Sequence, residues 1–343
     1  MSRRAAAPRA TVPDQPDTRL LAVSGIRIKE TLSMLNKRYA PLRRLLPRAA
    51  LLAASLLSLP LMAGRVAQAA EPIRVGGKNF TEQLILSSMT EQYLRTKGYT
   101  TTLTTGLGST LMRQALENNQ LDVVWDYTGT ALVVFNHVKE KLDGEQSYAR
   151  VKELDAKKGL VWLQASTVNN TYALAMPHDR AVATGITTLS QYAKMVRDTP
   201  KKRHPFAVDM EFAARPDGLA PLKEAYQLPL TRRDVIQLDP GLVYTALNNN
   251  QVDTGLVYTT DGRVKGFNLV VLRDDLNYFP AYNAVPVVRD EVLRAHPELA
   301  AQLNALAAQL DNEAMTEMNY QVDIGQRPVD QVATDFLRQH GLI

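Results

Sequence analysis

Leu116-Glu117-Asn118-Asn119-Gln120-Leu121-Asp122 is echoed downstream by Leu247-Asn248-Asn249-Asn250-Gln251-Val252-Asp253. Five residues after the Asp of each copy stands a Tyr-Thr pair, Tyr127-Thr128 and Tyr258-Thr259. Each copy reads as an apolar helix, a polar Asn-Asn-Gln turn, an apolar strand and a terminal tyrosine. Two copies are too few for a solenoid, whose units bury their faces only by stacking on several neighbours. They predict two α/β units facing one cleft, because ligands of open α/β sheets sit beyond the carboxyl ends of the strands. Leu, Asn and Gln after a helix are also ordinary turn chemistry, so the echo alone leaves coincidence open.

Outward from the echo, short apolar strands alternate with helices. Ile73-Arg74-Val75-Gly76 opens the series, and a helix is expected from Glu82 to Lys97, with Thr81 as its cap and Gly98 as its stop. Strands are expected at Thr100–Thr105, Val123–Trp125, Tyr172–Ala175, Phe206–Val208, Val235–Gln237, Gly255–Val257, Leu269–Val271 and Ala284–Val288. Strand–helix alternation predicts an α/β fold of two lobes, each a mostly parallel sheet flanked by helices. The last fifty or so residues are Ala/Leu-rich helices without a strand partner, so they are expected to pack back on the first lobe. The expected division is therefore 70–169 plus 280–343 for lobe 1 and 170–279 for lobe 2, with crossovers near Asn170 and Phe279.

The first 69 residues read differently. They are rich in Arg, Pro and Ala, carry a short apolar run at 49–63, and end in Ala67-Gln68-Ala69, a cleavage pattern that places the mature start at Ala70. Met34 is an alternative start that would give a conventional basic head, and Arg43-Arg44 leaves twin-arginine export open beside general secretion. This leader holds 12 Lys/Arg against 3 Asp/Glu, so its removal turns the formal charge of the chain from +5 to −4. A nucleic-acid binder would keep a basic footprint. The one dense basic run, Lys201-Lys202-Arg203-His204, lies between Pro200 and Pro205 and reads as a solvated loop. The chain has no cysteine, which excludes disulfides, Cys-based zinc sites, thiol nucleophiles and a lipoprotein anchor. An exported, unanchored protein is expected in a periplasm.

Catalytic signals are weak. There is no Gly-x-Ser-x-Gly elbow and no His-Glu-x-x-His spacing, and the five histidines are scattered. Binding signals are stronger. Tyr127, Tyr172, Tyr258 and Tyr282 stand at strand ends beside small polar residues, a pattern for a ligand-facing aromatic cage; any one alone would more often be a half-buried packing residue. Gly76-Gly77-Lys78-Asn79 lies between a strand and a helix, where a lysine beside a helix N-terminus makes an anion site or simply a turn with a surface lysine. Arg215 opens a helix in a loop and reads as either a ligand contact or the partner of Asp217 or Glu211.

Lys78-Asn79-Phe80-Thr81-Glu82-Gln83, Asp126-Tyr127-Thr128-Gly129-Thr130, Asn170-Thr171-Tyr172-Ala173-Leu174 and Tyr258-Thr259-Thr260-Asp261-Gly262 together resemble the glycine betaine/choline-type substrate-binding proteins of osmoprotectant ABC importers, especially their low-affinity periplasmic branch. The resemblance spans nearly all of the chain after residue 70. It implies a type II periplasmic binding protein fold, and a monomer that delivers a quaternary amine to an inner-membrane permease and its ATPase. It further implies ligand contacts from Lys78, Tyr127, Thr130, Asn170, Tyr172, Arg215, Tyr258 and Tyr282, with no cofactor and no metal. Asn170 departs from members with an aspartate there, and Trp125-Asp126 departs from the Pro-Glu of others.

On this reading the tyrosines hold a methylated cation while Arg215 and Lys78 hold an acid group. Three rivals stand beside it. One is an enzyme on the same fold, whose best-known chemistry needs an absent cysteine. Another is a binder of amino acids or other zwitterions, with Asp126 or Asp261 meeting the ammonium. The third is a sensor that signals without transport.

Overall fold

The computed structural model describes residues 71–343; the expected leader and its cleavage site lie outside them. Ten strands form two five-stranded sheets. The first half runs β1 (Ile73–Lys78), α1 (Thr81–Thr96), β2 (Thr101–Leu107), α2 (Ser109–Glu117) and β3 (Val123–Tyr127). A single turn, α3 (Thr128–Thr130), then widens into a π-helical turn at Ala131–Phe135, followed by α4 (Gly144–Ala156) and β4 (Leu160–Trp162). The chain then crosses to β5 (Tyr172–Pro177), α5 (His178–Thr184), α6 (Leu189–Asp198), β6 (Phe206–Asp209), α7 (Met210–Ala214) and α8 (Leu219–Ala225). The second half continues with β7 (Val235–Leu238), α9 (Pro240–Asn248), β8 (Thr254–Tyr258), α10 (Gly262–Gly266) and β9 (Leu269–Leu272). A return crossing leads to β10 (Ala284–Arg289), α11 (Asp290–Ala295), α12 (Leu299–Ala307), α13 (Asn312–Asp323) and α14 (Val329–Gln339).

The sheet orders are β2-β1-β3-β10-β4 and β7-β6-β8-β5-β9. In each, four strands point one way and one is reversed: β10 in the first sheet, β5 in the second. The reversed strand is in both cases the one that enters from the other sheet. The two crossing segments run side by side, joined by an antiparallel bridge between Asn169 and Asn283 and by a hydrogen bond from the Asn170 amide to the Tyr282 carbonyl (3.1 Å). This is the two-lobed α/β architecture that the alternation of strands and helices predicts.

The echo becomes a structural repeat. Val75 pairs with Val123 as Phe206 pairs with Thr254, and Gly76 pairs with Val124 as Ala207 pairs with Gly255. A constant shift of 131 residues thus relates β1 and β3 to β6 and β8. Asn119 and Asn250, at matched positions after α2 and α9, both adopt left-handed backbone (φ 58° and 54°), a conformation that asparagine tolerates better than other side chains. Asp122 and Asp253 then anchor the following strands, the first on Arg74 and Arg289, the second on Arg180.

Local details differ from expectation where packing overrides turn chemistry. β1 runs through both Gly76 and Gly77 to Lys78 rather than ending before them. A Cβ on Gly76 would lie 2.4 Å from Leu121, and one on Gly77 2.5 Å from Ser87, so these glycines permit close approach of neighbours. Thr81 is the first helical residue rather than the cap, and its hydroxyl bonds Asp323 (2.7 Å). Helix α1 is buried on two sides, with Leu94 in a cluster with Ile73, Val75 and Val123 of the sheet and Ile85, Leu86, Met89 and Tyr93 in one that Met315 and Met318 of α13 and Val332 and Ala333 of α14 complete. Each such apolar side chain contributes about 1.5–3 kcal/mol by leaving water. Helices α13 and α14 pack on α1, α11 and α12 pack on β10, and α13 also packs on α10 of the other lobe. Gly262 makes that last contact possible: a Cβ there would sit 2.3 Å from the Tyr320 backbone.

Candidate functional site

The C-terminal ends of β1, β3, β6 and β8 converge on one cavity of about 220 Å³. Lys78, Tyr127, Asp209 and Tyr258 are the last residues of those four strands and all line it. Of the eight candidate residues, seven line this cavity: Lys78, Tyr127, Thr130, Asn170, Tyr172, Tyr258 and Tyr282. The eighth, Arg215, lies buried behind the wall, its guanidinium 5.4 Å from the Tyr172 ring centre and 5.8 Å from that of Tyr282.

Five aromatic rings form an unbroken chain around the space. Tyr127 stacks on Phe80 at 6.2 Å, and Phe80 meets Tyr258 at 5.2 Å. Tyr258 meets Tyr172 at 5.4 Å, and Tyr172 stands edge-on to Tyr282 at 5.2 Å. Burial pushes the phenols of Tyr127, Tyr172, Tyr258 and Tyr282 well above their ordinary range. The rings therefore stay neutral at physiological pH and present π faces, the surface that attracts a cation lacking N–H groups. Phe80 belongs to this chain although sequence reasoning named only tyrosines.

Three of the four tyrosines are held by their hydroxyls. Tyr127 donates to Glu82 (2.6 Å) and accepts from the Gln83 amide (3.1 Å), while Tyr258 donates to Asp209 (3.3 Å) and Tyr282 to Asp217 (3.0 Å). Glu82 is a junction that sequence reasoning passed over. Its buried carboxylate accepts from Tyr127, from the side chain of Asn170 (3.0 Å) in the crossing segment, and from Thr260 in the second lobe. Burial raises its pKa against the pull of those donors. A carboxylate that joins a cage ring, the crossing segment and the opposite lobe fixes all three relative to one another.

The two cations are already compensated. Lys78 reaches Asp126 at 2.8 Å, both groups buried, and its ammonium lies 5.1 Å from the Tyr127 ring centre. One oxygen of Asp126 thus takes one of the three ammonium protons, and the others remain available. Arg215 spends its fork on Asp217 (2.8 and 2.7 Å) and lies 3.7 Å from Glu211, so both of its possible local partners are real. Its remaining edge donates to Thr130 (3.1 Å) and to Tyr282 (3.4 Å). Arg215 therefore spans the cleft and props two rings, in place of the open fork expected of it. Asp126 and Asp261, offered for a primary ammonium, are occupied by Lys78 and Arg263.

Across the mouth of the cavity, Glu211 accepts the Ser109 amide at the start of α2 (3.2 Å). Burial works against its charge, but Lys78 and the Ser109 donors outweigh burial and hold its pKa below the usual carboxylate value. Met210 and Glu211 from the second lobe and Gly108 and Ser109 from the first thus meet at the rim.

Two α/β lobes joined by paired crossings, with strand ends converging on a buried aromatic cavity, define a ligand-binding protein of the two-lobed periplasmic class. Residues 71–339 match the family described as the substrate binding domain of the ABC-type glycine betaine transport system, and the chain belongs to that family. It is 52% identical over 287 residues to a glycine-betaine-binding protein of Pseudomonas aeruginosa, a match covering 82% of this chain and 92% of that one. It is 30% identical over 311 residues to the carnitine transport binding protein OpuCC of Listeria monocytogenes, covering 89% and 98%. Among solved structures, a glycine betaine/carnitine/choline ABC transporter protein aligns with a TM-score of 0.64 at 29% identity, covering 79% of this chain and 99% of that one.

Proposed function

We propose that this chain captures a quaternary-amine osmoprotectant, glycine betaine foremost, in the periplasm and delivers it as a monomer to a membrane permease driven by an ATPase. The observation that carries the reading is the unbroken chain of five neutral rings, Tyr127, Phe80, Tyr258, Tyr172 and Tyr282, around a cavity whose other wall offers Lys78 and Thr130. A permanently charged trimethylammonium cannot be paired by hydrogen bonds, and each aromatic face contributes about 0.5–2 kcal/mol. The free ammonium protons of Lys78 and the Thr130 hydroxyl, backed by Arg215, suit the acid end. The lobes on this reading are 70–169 plus 280–343 and 170–279. They close around the ligand, because each contributes rings that the other lacks.

Relatives named for glycine betaine and for carnitine support the class and leave the member to measurement. Isothermal titration of the chain from residue 70 onward with glycine betaine, choline and carnitine tests it. Saturable one-to-one binding of at least one is expected. Tyr258→Ala is expected to weaken that binding about tenfold while leaving the thermal midpoint within a few degrees. Equal loss of binding and stability would make Tyr258 a packing residue, and no heat from any quaternary amine would refute the assignment. No helix among the described residues is long and apolar enough to cross a membrane, in keeping with a periplasmic location.

A further inference from the structure

The strand ends superposed by the 131-residue repeat carry opposite charges: Lys78 closes β1 and Asp209 closes β6. Lys78 has its own counter-ion in Asp126 at 2.8 Å. Asp209 has no ion-pair partner among the described residues. It is only 2% exposed. One of its oxygens accepts the Phe212 amide (2.8 Å) as the cap of α7, and the other has only the Tyr258 hydroxyl at 3.3 Å. Of its charged neighbours, Glu211 repels it, and Arg215 attracts it weakly because that guanidinium's fork is turned to Asp217. Burial accordingly lifts its pKa above the ordinary carboxylate value. A buried carboxylate that lines an aromatic cavity and lacks a cation is a place where an incoming cation restores balance.

We propose that Asp209 is a specificity-determining residue, the counter-ion for the ligand's positive end, so that the cavity is a built dipole. The ligand then lies across the cleft with its cation against Asp209 and Tyr258 and its negative end toward Lys78 and Thr130. This orientation rests on the quaternary-amine reading of the cavity given above. A quaternary ammonium offers no N–H, so Asp209 acts on it by charge alone, through a cavity where water screens poorly. The site therefore reads charge as well as shape. It discriminates a trimethylammonium from the tert-butyl group of the same size.

Titration calorimetry of the wild type, Asp209→Asn and Asp209→Ser with glycine betaine, choline and 3,3-dimethylbutanoate tests this. The last compound is the carbon isostere of glycine betaine. Asparagine and serine both keep the helix cap, and thermal melts check that both variants fold. Both variants are expected to bind glycine betaine and choline at least about tenfold more weakly while binding the isostere as well as the wild type does or better. Glycine betaine affinity within twofold of wild type would overturn the assignment. So would a parallel loss for all three compounds, which a purely structural cap would produce. A wild type that binds neither quaternary amine would overturn the cavity reading and this assignment together, an outcome distinct from a silent Asp209.

Discussion

The first lobe's β1-α1-β2-α2-β3 and the second lobe's β6-α7-α8-β7-α9-β8 trace the same path, yet they meet their surroundings differently. In the first, one sixteen-residue helix follows β1 and is buried between the sheet and α13 and α14. In the second, the corresponding segment is broken into two short helices, and the break places Arg215 and Asp217 beside the cavity. Matched strand ends keep a tyrosine in both lobes, Tyr127 and Tyr258, while Lys78 is answered by Asp209 and Gly108 by Asp239. The backbone frame is shared, and the side chains at its tips set the chemistry. Repetition supplies two walls with rings, and divergence at the tips gives those walls unlike charge.

The matched aspartates give the comparison its largest expected effect. Asp122 is buried and holds Arg74 together with the nearly buried Arg289, whereas Asp253 holds Arg180, which is more exposed than Arg289, and lies 3.7 Å from His204. Asp122→Asn takes the shared carboxylate from two guanidiniums at once, leaving the buried Arg289 with Glu291 and Asn119, and should destabilise by about 3 kcal/mol in denaturant unfolding. Asp253→Asn should cost about 1 kcal/mol, since Arg180 can regain water. Equal losses would break the proposed asymmetry.

Burial alone would raise the Asp122 pKa, but its bonds to Arg74 and Arg289 outweigh burial and hold it below the ordinary value. Its contribution is therefore complete above the unfolded carboxylate pKa of about 3.9 and is lost as pH falls through the depressed native value. Between pH 5 and pH 2, wild type should consequently lose more stability than Asp122→Asn.

A smaller effect should appear in both lobes. Asn119→Ala and Asn250→Ala each place a side chain without local hydrogen bonding in left-handed backbone, at about 1 kcal/mol apiece, and Asn119→Ala also removes an acceptor of Arg289. Glycine at 250 should be close to neutral, whereas glycine at 119 still loses the Arg289 bond. Thermal melts of the four variants would sharpen the repeat if both alanines destabilise and only Asn250→Gly is neutral, and break it if Asn250→Ala has no effect.

Much of the frame is legible in the sequence because it is written locally. The echoed Asn-Asn-Gln turns, the Gly98 stop (φ 91°) and the strand runs depend on neighbours along the chain. The three-residue β4 escapes notice because it is too short for periodicity, and its place beside β10 is set by tertiary pairing. Gly76 and Gly77 resemble a turn until Leu121 and Ser87 show that they permit contact. At the cavity, Phe80 and Glu82 sit inside a motif whose lysine drew attention, and neither carries a local signal of its own. Asp209 was reachable: shifting Lys78 by the same 131 residues that relate the echoed tyrosines lands on it. Arg215 illustrates the opposite difficulty, since its sequence neighbours named both partners but not how many donors they would take.

The most direct test is a crystal structure of the chain from residue 70 onward grown with glycine betaine. The account predicts the trimethylammonium within about 6 Å of the ring centres of Phe80, Tyr172 and Tyr258, with the carboxylate on the Lys78 and Thr130 side. A ligand seated instead in the separate crevice of about 710 Å³ bordered by His137, Lys141 and Tyr278, with the ring-lined cavity unchanged, would contradict it.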